Sequence, residues 1–574
     1  MASKIYASPH HLCSDMKIVS DSYQRWALQI WLWCMSAVTL NAQELTWGDT
    51  LRGTLSSVRT CFDVTHYDLG MSINLPEKSI QGRCTITFKA TTEFKLMQLD
   101  LFENIRVDSI RFEGRQPEYW REYNAIFIEL PRIVKQGEHA SIVLDYAGVP
   151  VEAVNPPWDG GFTWTFDRNE KPWVAVSCQG IGASLWWPCK DHQSDEPDSM
   201  DIHCKVPRGL VCVANGQERG VTKDPEGNET YHWHVSYPIN NYNVSINVGD
   251  YIHLHDVYAQ QDGDSLALDY YVMRGNEEKA AKHFQQVKPM LRCYEHFLGE
   301  YPFPADGYAL VETPYLGMEH QSAIAYGNRY KAGYLGSDRS GQNLDFDYII
   351  IHETGHEWWG NSVTAGDIAD MWIHESFCTY SEAIYVECLY GYDTAMTYVN
   401  ALKKSVVNRT AIMGPYGVNR EGHYDMYVKG MLFLNTLRHI VNNDDLWWNI
   451  IKSMTDTVFH HRITDYEEVA NYFQRQSQLD LKPVFEQYVK HPRIPILEYY
   501  TSKRRKGTLV HMRWVTDAKN FHMPVSIVNE GLRKRIEFGT EWTKVNLRGH
   551  FEFDQQTAYY SLKKIRPKRR WSIE

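Results

Sequence analysis

From about Gln43 to residue 272, apolar and polar residues alternate in short runs. Cys84-Thr85-Ile86-Thr87-Phe88-Lys89, Met97-Gln98-Leu99-Asp100-Leu101 and Ser141-Ile142-Val143-Leu144-Asp145-Tyr146 each place apolar side chains on one face, as half-buried strands do. Turn formers separate them at Pro76-Glu77-Lys78, Glu113-Gly114 and Gln136-Gly137. This pattern predicts an antiparallel sandwich or saddle of sheets. Near Gly275 the period lengthens. Ala280, Phe284, Val287, Leu291 and Tyr294 fall on one face of a helix over Asn276–Phe297. A strand at Tyr308–Val311 and a loop from Pro314 to His320 follow. Helices are then expected through Tyr348–Trp359, from Glu375 to Leu389, over Met426–Val441 and over Asp465–Tyr488. Pro492 and Pro495 end that pattern. Alternation returns at Thr508–Trp514 and Val525–Val528 and predicts a small closing β domain. The fold class is therefore multidomain α+β. Its expected parts are a leader over 1–42, an antiparallel β domain over 43–272, a mostly helical domain over 273–493 and a β-sandwich-like domain over 494–574.

The 574 residues suffice for three or four domains with large cores. Net charge is −12 and no basic domain stands out, which argues against nucleic-acid binding. The basic run Lys563 to Arg570 reads as a solvated strand edge, where positive charge discourages pairing with other chains. Trp26 to Leu40 is largely apolar, follows Lys17 and Arg25, and ends at Leu40-Asn41-Ala42, a small-residue cleavage site. That is the pattern of a secretory signal, with Met16 as an alternative start and an uncleaved anchor as the second reading. With the leader removed, no stable membrane span is expected, and the chain would be periplasmic, extracellular or at the cell surface. Export permits disulfides. Of the 11 cysteines, Cys13 and Cys34 lie in the leader, and the remaining odd number leaves at least one thiol unpaired. Cys204 and Cys212 flank a possible hairpin and form a candidate pair, whereas Cys378 and Cys388 read as buried free thiols.

Candidate chemistry concentrates at His352-Glu353-Thr354-Gly355-His356, followed after eighteen intervening residues by Glu375. Two histidines four apart on a helix project from one face, so their imidazoles can converge on one ion. Glu375 from a second helix is a third ligand, which leaves a fourth zinc position for water. Glu353 stands one step round the helix, placed to exchange a proton with that water. The same pattern on a solvated helix would mean only two surface histidines. Tyr348-Ile349-Ile350-Ile351 before it and Trp358-Trp359 after it instead predict a buried helix, where such polar groups need partners. The cofactor expected is one Zn²⁺.

Around this core the chain resembles the gluzincin aminopeptidase family, from about residue 60 to 500. The resemblance rests on four segments. His352 to Glu375 resembles the extended zinc signature, including Trp358-Trp359-Gly360-Asn361. Leu316-Gly317-Met318-Glu319-His320 resembles the exopeptidase loop Gly-x-Met-Glu-Asn, and Tyr427-Val428-Lys429-Gly430 resembles Tyr-x-Lys-Gly. Ser177 to Ser184 with Trp187-Pro188-Cys189 resembles a segment of the N-terminal domain that lends a polar side chain to the site. The resemblance implies a thermolysin-like catalytic domain and an aminopeptidase acting on peptides with a free N-terminus. It implies that Glu319 and Gln179 bind the substrate ammonium, that Gly317 and Met318 line an added peptide strand, and that Tyr427 donates to the oxyanion. On spacing alone Glu319 is equally a loop carboxylate and Tyr427 a core tyrosine at a helix start. Glu382 is either a support for a zinc histidine or a surface carboxylate. Leu316, His320 and His374 depart from the family pattern and bear on substrate preference. No counterpart of the large C-terminal helical domain of many relatives is expected, which implies a more open cleft suited to longer peptides. The alternatives are a zinc endopeptidase, an epoxide hydrolase and a non-catalytic peptide-binding scaffold.

Overall fold

The computed structural model describes residues 45–260, 263–505 and 507–566. The expected leader, with Cys13 and Cys34, lies outside the described residues, as does the basic run from residue 567. From Gly48 on, the described residues form one compact unit, which carries everything below.

Its first layer is a seven-stranded sheet ordered Gln217–Lys223, Glu229–Val235, Ser199–Val206, Phe62–Asn74, Ser79–Ala90, His139–Gly148 and Ile105–Phe112. All three alternating runs read as strands lie in sheets. One pairing departs from the antiparallel expectation. Phe62–Asn74 and Ser199–Val206 run parallel, because the chain leaves the sheet and returns through other strands, not through a hairpin. A four-stranded sheet contains Pro172–Ser177 and delivers Gln179 just beyond its end. Inward residues of these sheets bury a core around Phe62, Leu69, Phe88, Leu144, Trp186 and Trp187.

A five-stranded sheet links this part to the helices. Its order is Tyr251–Ala259, Ser265–Met273, Tyr308–Glu312, Ile324–Tyr326 and Gly317–Met318. Ser265–Met273 pairs parallel with Tyr308–Glu312, so the sheet joins strands from both sides of residue 273. Leu266, Leu268 and Tyr270 pack into the core of the helical region. There the helices are Glu277–His283, Val287–Leu298, Tyr348–Gly355, Met371–Tyr390, Tyr392–Leu402, Val428–Val441, Asp444–Ser453 and Tyr466–Ser477. The helix expected to begin at Glu375 begins at Met371, which sets Glu375 in an interior turn. The helix expected over Asp465–Tyr488 breaks at Gln478, whose backbone is left-handed (φ 57°), and resumes at Lys482.

The closing β region has a four-stranded and a three-stranded sheet. Ser561–Lys564 occupies an edge of the former, as the basic run suggested, and Lys563 Nζ reaches Glu498 Oε1 at 2.9 Å. The cysteine readings need correction. Cys388 is not free: it forms a disulfide with Cys293, tying Met371–Tyr390 to Val287–Leu298. Cys204 and Cys212 are separate buried thiols, because their strands belong to different sheets and form no hairpin. Cys378 is a buried free thiol. Among the described residues no helix is long and apolar enough to cross a membrane.

Candidate active site

The helix Tyr348–Gly355 starts at a strong cap. Asp347 is fully buried, and its carboxylate accepts from the Ile349 and Ile350 backbone N–H groups. It also accepts from Tyr326 Oη at 2.8 Å and Asn328 Nδ2 at 2.7 Å. These bonds fix the helix before any ligand is considered. His352 then lies in its last turn, and His356 is its C-terminal cap.

The two imidazoles converge, with Nε2 atoms 3.3 Å apart. Glu375 Oε2 lies 3.6 Å from His352 Nε2 and 3.5 Å from His356 Nε2. Ligands at about 2.0–2.1 Å from a tetrahedral zinc stand about 3.3 Å from one another. The three atoms therefore form a face of that size. Glu375 Oε2 is also buried with no hydrogen-bond partner, an arrangement that costs free energy unless a cation meets it. The other ring nitrogens fix the tautomers. His356 Nδ1 lies 2.8 Å from the Trp359 carbonyl, which can only accept, so Nδ1 carries the proton and Nε2 is free to ligate. His352 Nδ1 lies 2.8 Å from Glu382 Oε1, and Tyr398 Oη holds the other Glu382 oxygen. Glu382 is buried and orients the His352 ring, so it is not a surface group. Cys378 Sγ also comes near both imidazoles, but its thiol donates to the His352 carbonyl. The unpartnered carboxylate oxygen makes Glu375 the better third ligand. The donor set fits zinc.

Glu353 is buried beside this face. Burial pushes its carboxyl up to about 7, with His352 and His356 opposing and Glu319 and Glu375 reinforcing. Gly317 passes directly over it. A Cβ there would stand 2.6 Å from both Glu353 Oε1 and Ile349 Cγ2, so only glycine leaves room for the Glu353 carboxylate. Gly317–Met318 is an edge strand, paired antiparallel with Ile324–Tyr326 on one side.

Glu319 follows it and is 2% exposed. Burial raises its carboxyl above the ordinary range, while His356 pulls it down. Gln179 Nε2 donates to Glu319 Oε1 at 2.8 Å and to Glu375 Oε1 at 2.9 Å. It thus bridges the two carboxylates with its amide hydrogens, where the sequence cast it as an acceptor. Tyr427 Oη donates to Glu375 Oε1 at 2.9 Å, and its ring stacks on His352. These side chains line one cavity of about 340 Å³, whose rim includes Trp158, Tyr334 and Arg339.

Gln179, Gly317, Met318, Glu319, His352, Glu353, His356, Glu375 and Tyr427, all singled out from sequence, line this cavity, whereas His320 and His374 do not. Others were missed. Tyr242 Oη donates to Glu319 Oε1 at 3.2 Å and lies 3.4 Å from His374 Nδ1. His374 Nε2 accepts from the Ala365 backbone N–H at 2.8 Å, so its Nδ1 carries the proton. A chain of donors runs from Ala365 through His374 and Tyr242 to Glu319. His374 thereby supports Glu319 through Tyr242. His320 is fully buried, and burial lowers its imidazole to about 3, which keeps it neutral. In Tyr427-Val428-Lys429-Gly430, Lys429 Nζ holds the His491 and Pro492 carbonyls, and a Cβ at Gly430 would collide with Ser376. Gly430 thus lets the helix after Tyr427 pack closely on the Glu375 helix, and Lys429 ties that helix to the chain at residues 491–492.

Comparison with known proteins agrees with this layout. The peptidase M1 N-terminal domain model matches residues 64–242, and the peptidase family M1 domain model matches residues 283–488. The chain is 21% identical over 477 residues to aminopeptidase N of Lactobacillus helveticus, covering 77% of this chain and 52% of that protein. It is 25% identical over 350 residues to leucine aminopeptidase 2 of Neosartorya fischeri, covering 57% and 51%. The chain spans about half the length of these curated relatives. The fold matches the crystal structure of an M1 zinc metallopeptidase from Deinococcus radiodurans. The TM-score is 0.63 at 22% identity, with 75% of this chain and 94% of that chain covered. A mutant of that enzyme bound to a Tyr-Ser-Ala substrate aligns with a TM-score of 0.62. With both M1 domain models matched in order and the zinc-ligand face between the two helices that carry the signature, the chain belongs to peptidase family M1.

Proposed function

We propose that this chain is a zinc aminopeptidase that removes the N-terminal residue from peptides. The observation that carries the reading is the meeting of two features in one cavity. One is the His352–His356–Glu375 face, sized for zinc. The other is the buried Glu319–Gln179 clamp, joined to that face through Glu375.

His352, His356 and Glu375 would hold the ion. When bound, zinc supplies Lewis acidity that acidifies a water and polarises the scissile carbonyl. Glu353 takes the proton from the attacking water and returns it to the leaving amine, a role suited to a buried carboxyl beside the ligand face. Tyr427 leaves Glu375 Oε1 to donate to the oxyanion as charge develops. The unpaired side of Gly317–Met318 receives the peptide as an added strand. Glu319, with Gln179, binds the ammonium and stops the chain one residue from the metal. An endopeptidase has no use for a buried carboxylate at that place, and a non-catalytic scaffold has none for Glu353.

The test is an unblocked peptide against the same peptide N-acetylated, each with and without a zinc chelator. Release of only the first residue, lost on acetylation and on chelation, is the expected result. Cleavage of the acetylated peptide at an equal rate would overturn the exopeptidase reading. The pairing of Cys293 with Cys388 supports export to an oxidising compartment, as the leader pattern suggests.

A further inference from the structure

Tyr251–Ala259 forms the edge of the five-stranded sheet opposite to the Gly317–Met318 edge. His253 and His255 sit two residues apart on it, so both rings stand on the same face of the sheet. Directly across from His255, on Ser265–Met273, is Asp269. Its Oδ1 lies 2.7 Å from His253 Nε2 and 2.9 Å from His255 Nδ1. The His253 ring is fixed by stacking on Tyr271, its own cross-strand partner, at 4.6 Å and 9°. Two imidazoles and a carboxylate thus point at one spot, outside the catalytic cavity and with no part in the chemistry above.

We infer that His253, His255 and Asp269 form a second metal site, which binds one divalent transition ion of the zinc or copper(II) type on the surface of the sheet. The donor set decides the class. Two nitrogen donors and one carboxylate favour zinc, copper or nickel over calcium or magnesium, which prefer all-oxygen shells. The spacing fits after a small adjustment. Asp269 Oδ1 stands about half an ångström closer to each ring nitrogen than the roughly 3.3 Å separation around a zinc ion, and all three donor atoms lie within 4.8 Å of one another. His253 and His255 are 48% and 56% exposed, so the rings can give by that amount and water can complete the shell. Binding replaces the two imidazole–carboxylate hydrogen bonds with ligand bonds. It also clips the edge strand to its neighbour, so free metal at concentration c stabilises the folded hairpin by RT ln(1 + c/Kd).

The test is equilibrium dialysis of the metal-stripped full chain against zinc, comparing wild type with a His253→Ala/His255→Ala variant. One equivalent fewer in the variant is expected, with hydrolysis of an aminoacyl anilide at saturating zinc unchanged. A His232→Ala/His234→Ala variant is the control for histidines on the other sheet, which pair with His203 and Asp201, and it should keep the wild-type stoichiometry. Copper(II) added to zinc-loaded protein should give a paramagnetic signal with coupling to two nitrogens, absent from the double variant and weakened by Asp269→Asn. Equal zinc stoichiometry in wild type and double variant would overturn the assignment, whatever the catalytic site does.

Discussion

Replacing Glu319 by glutamine keeps the side chain's shape and removes its charge. Glu319 Oε1 accepts from Gln179 Nε2 and Tyr242 Oη, and the carboxylate is almost wholly buried. A hydrogen bond to a charged group contributes about 1.5–3 kcal/mol. The amide would weaken the ammonium contact and also turn an N–H₂ toward a cation or toward Gln179 Nε2. The loss should sit near the top of that range, about 3 kcal/mol, or about two orders of magnitude in kcat/KM. The assay is hydrolysis of an aminoacyl anilide and its N-acetyl counterpart by wild type and Glu319→Gln, with zinc content measured on both. The expected outcome is about a 100-fold fall for the free amine at unchanged zinc, and no further fall for the acetylated compound. A change below about threefold on the free amine would refute the clamp. An equal fall on both substrates would mean that Glu319 acts on the chemistry and not on the ammonium.

Glu353→Gln should lower kcat by about 10²–10⁴ while zinc stays bound, since the side chain moves protons and ligates nothing; loss of zinc by elemental analysis would reassign it. Tyr427→Phe should cost about 10²–10³ in kcat with little effect on KM, as removal of one oxyanion donor does. A rise in KM at constant kcat would instead place the hydroxyl in substrate binding. Glu382→Gln should weaken zinc about 10–100-fold in a chelator competition, because it frees the His352 ring from the bond at 2.8 Å. Unchanged affinity would return Glu382 to a structural role.

The zinc face was legible because it obeys a local rule. Residues four apart on a helix share a face wherever the helix sits, and the apolar flanks of His352–His356 showed that the face is buried. Gln179 and Glu319 were legible only through family resemblance, since no periodicity brings residues on different sheets to 2.8 Å. Tyr242, Tyr398 and Asp347 were not legible at all. Each acts on the site through tertiary packing, and an isolated tyrosine or aspartate carries no spacing signal. The Cys293–Cys388 disulfide spans 95 residues, so no local pattern announces it. The parallel pairing of Phe62–Asn74 with Ser199–Val206 failed for the same reason: alternation reports which face is buried, not which strand lies alongside. Lys429 and Gly430 carried a motif whose function reads as catalytic by association. The structure gives them packing work instead, on the helix that follows Tyr427.

One consequence of the site's charge concerns the metal and pH together. Glu319, Glu353 and Glu375 are buried in one cavity, and Glu382 touches its edge. Without a metal, the charge that offsets them is protonated histidine. Burial opposes protonating His352, but the Glu375 and Glu382 carboxylates outweigh it. For His356, Glu375 and Glu319 do the same. Both imidazoles are held well above 6.5 in the metal-free protein. A raised folded-state value stabilises fully below the unfolded value and is lost as pH rises through the folded one. The metal-free protein should therefore lose stability as pH climbs above about 6.5. The zinc-bound protein needs both imidazoles neutral, so it binds more tightly over the same interval. The two trends diverge, and the increase in Tm on adding zinc to stripped protein should grow from pH 6.5 to pH 8. Thermal unfolding with chelator and with saturating zinc, at several pH values, measures it directly. A zinc-induced shift that stays constant or shrinks with pH would mean that the ion does not compete with protons for His352 and His356, and the ligand assignment would fall with it.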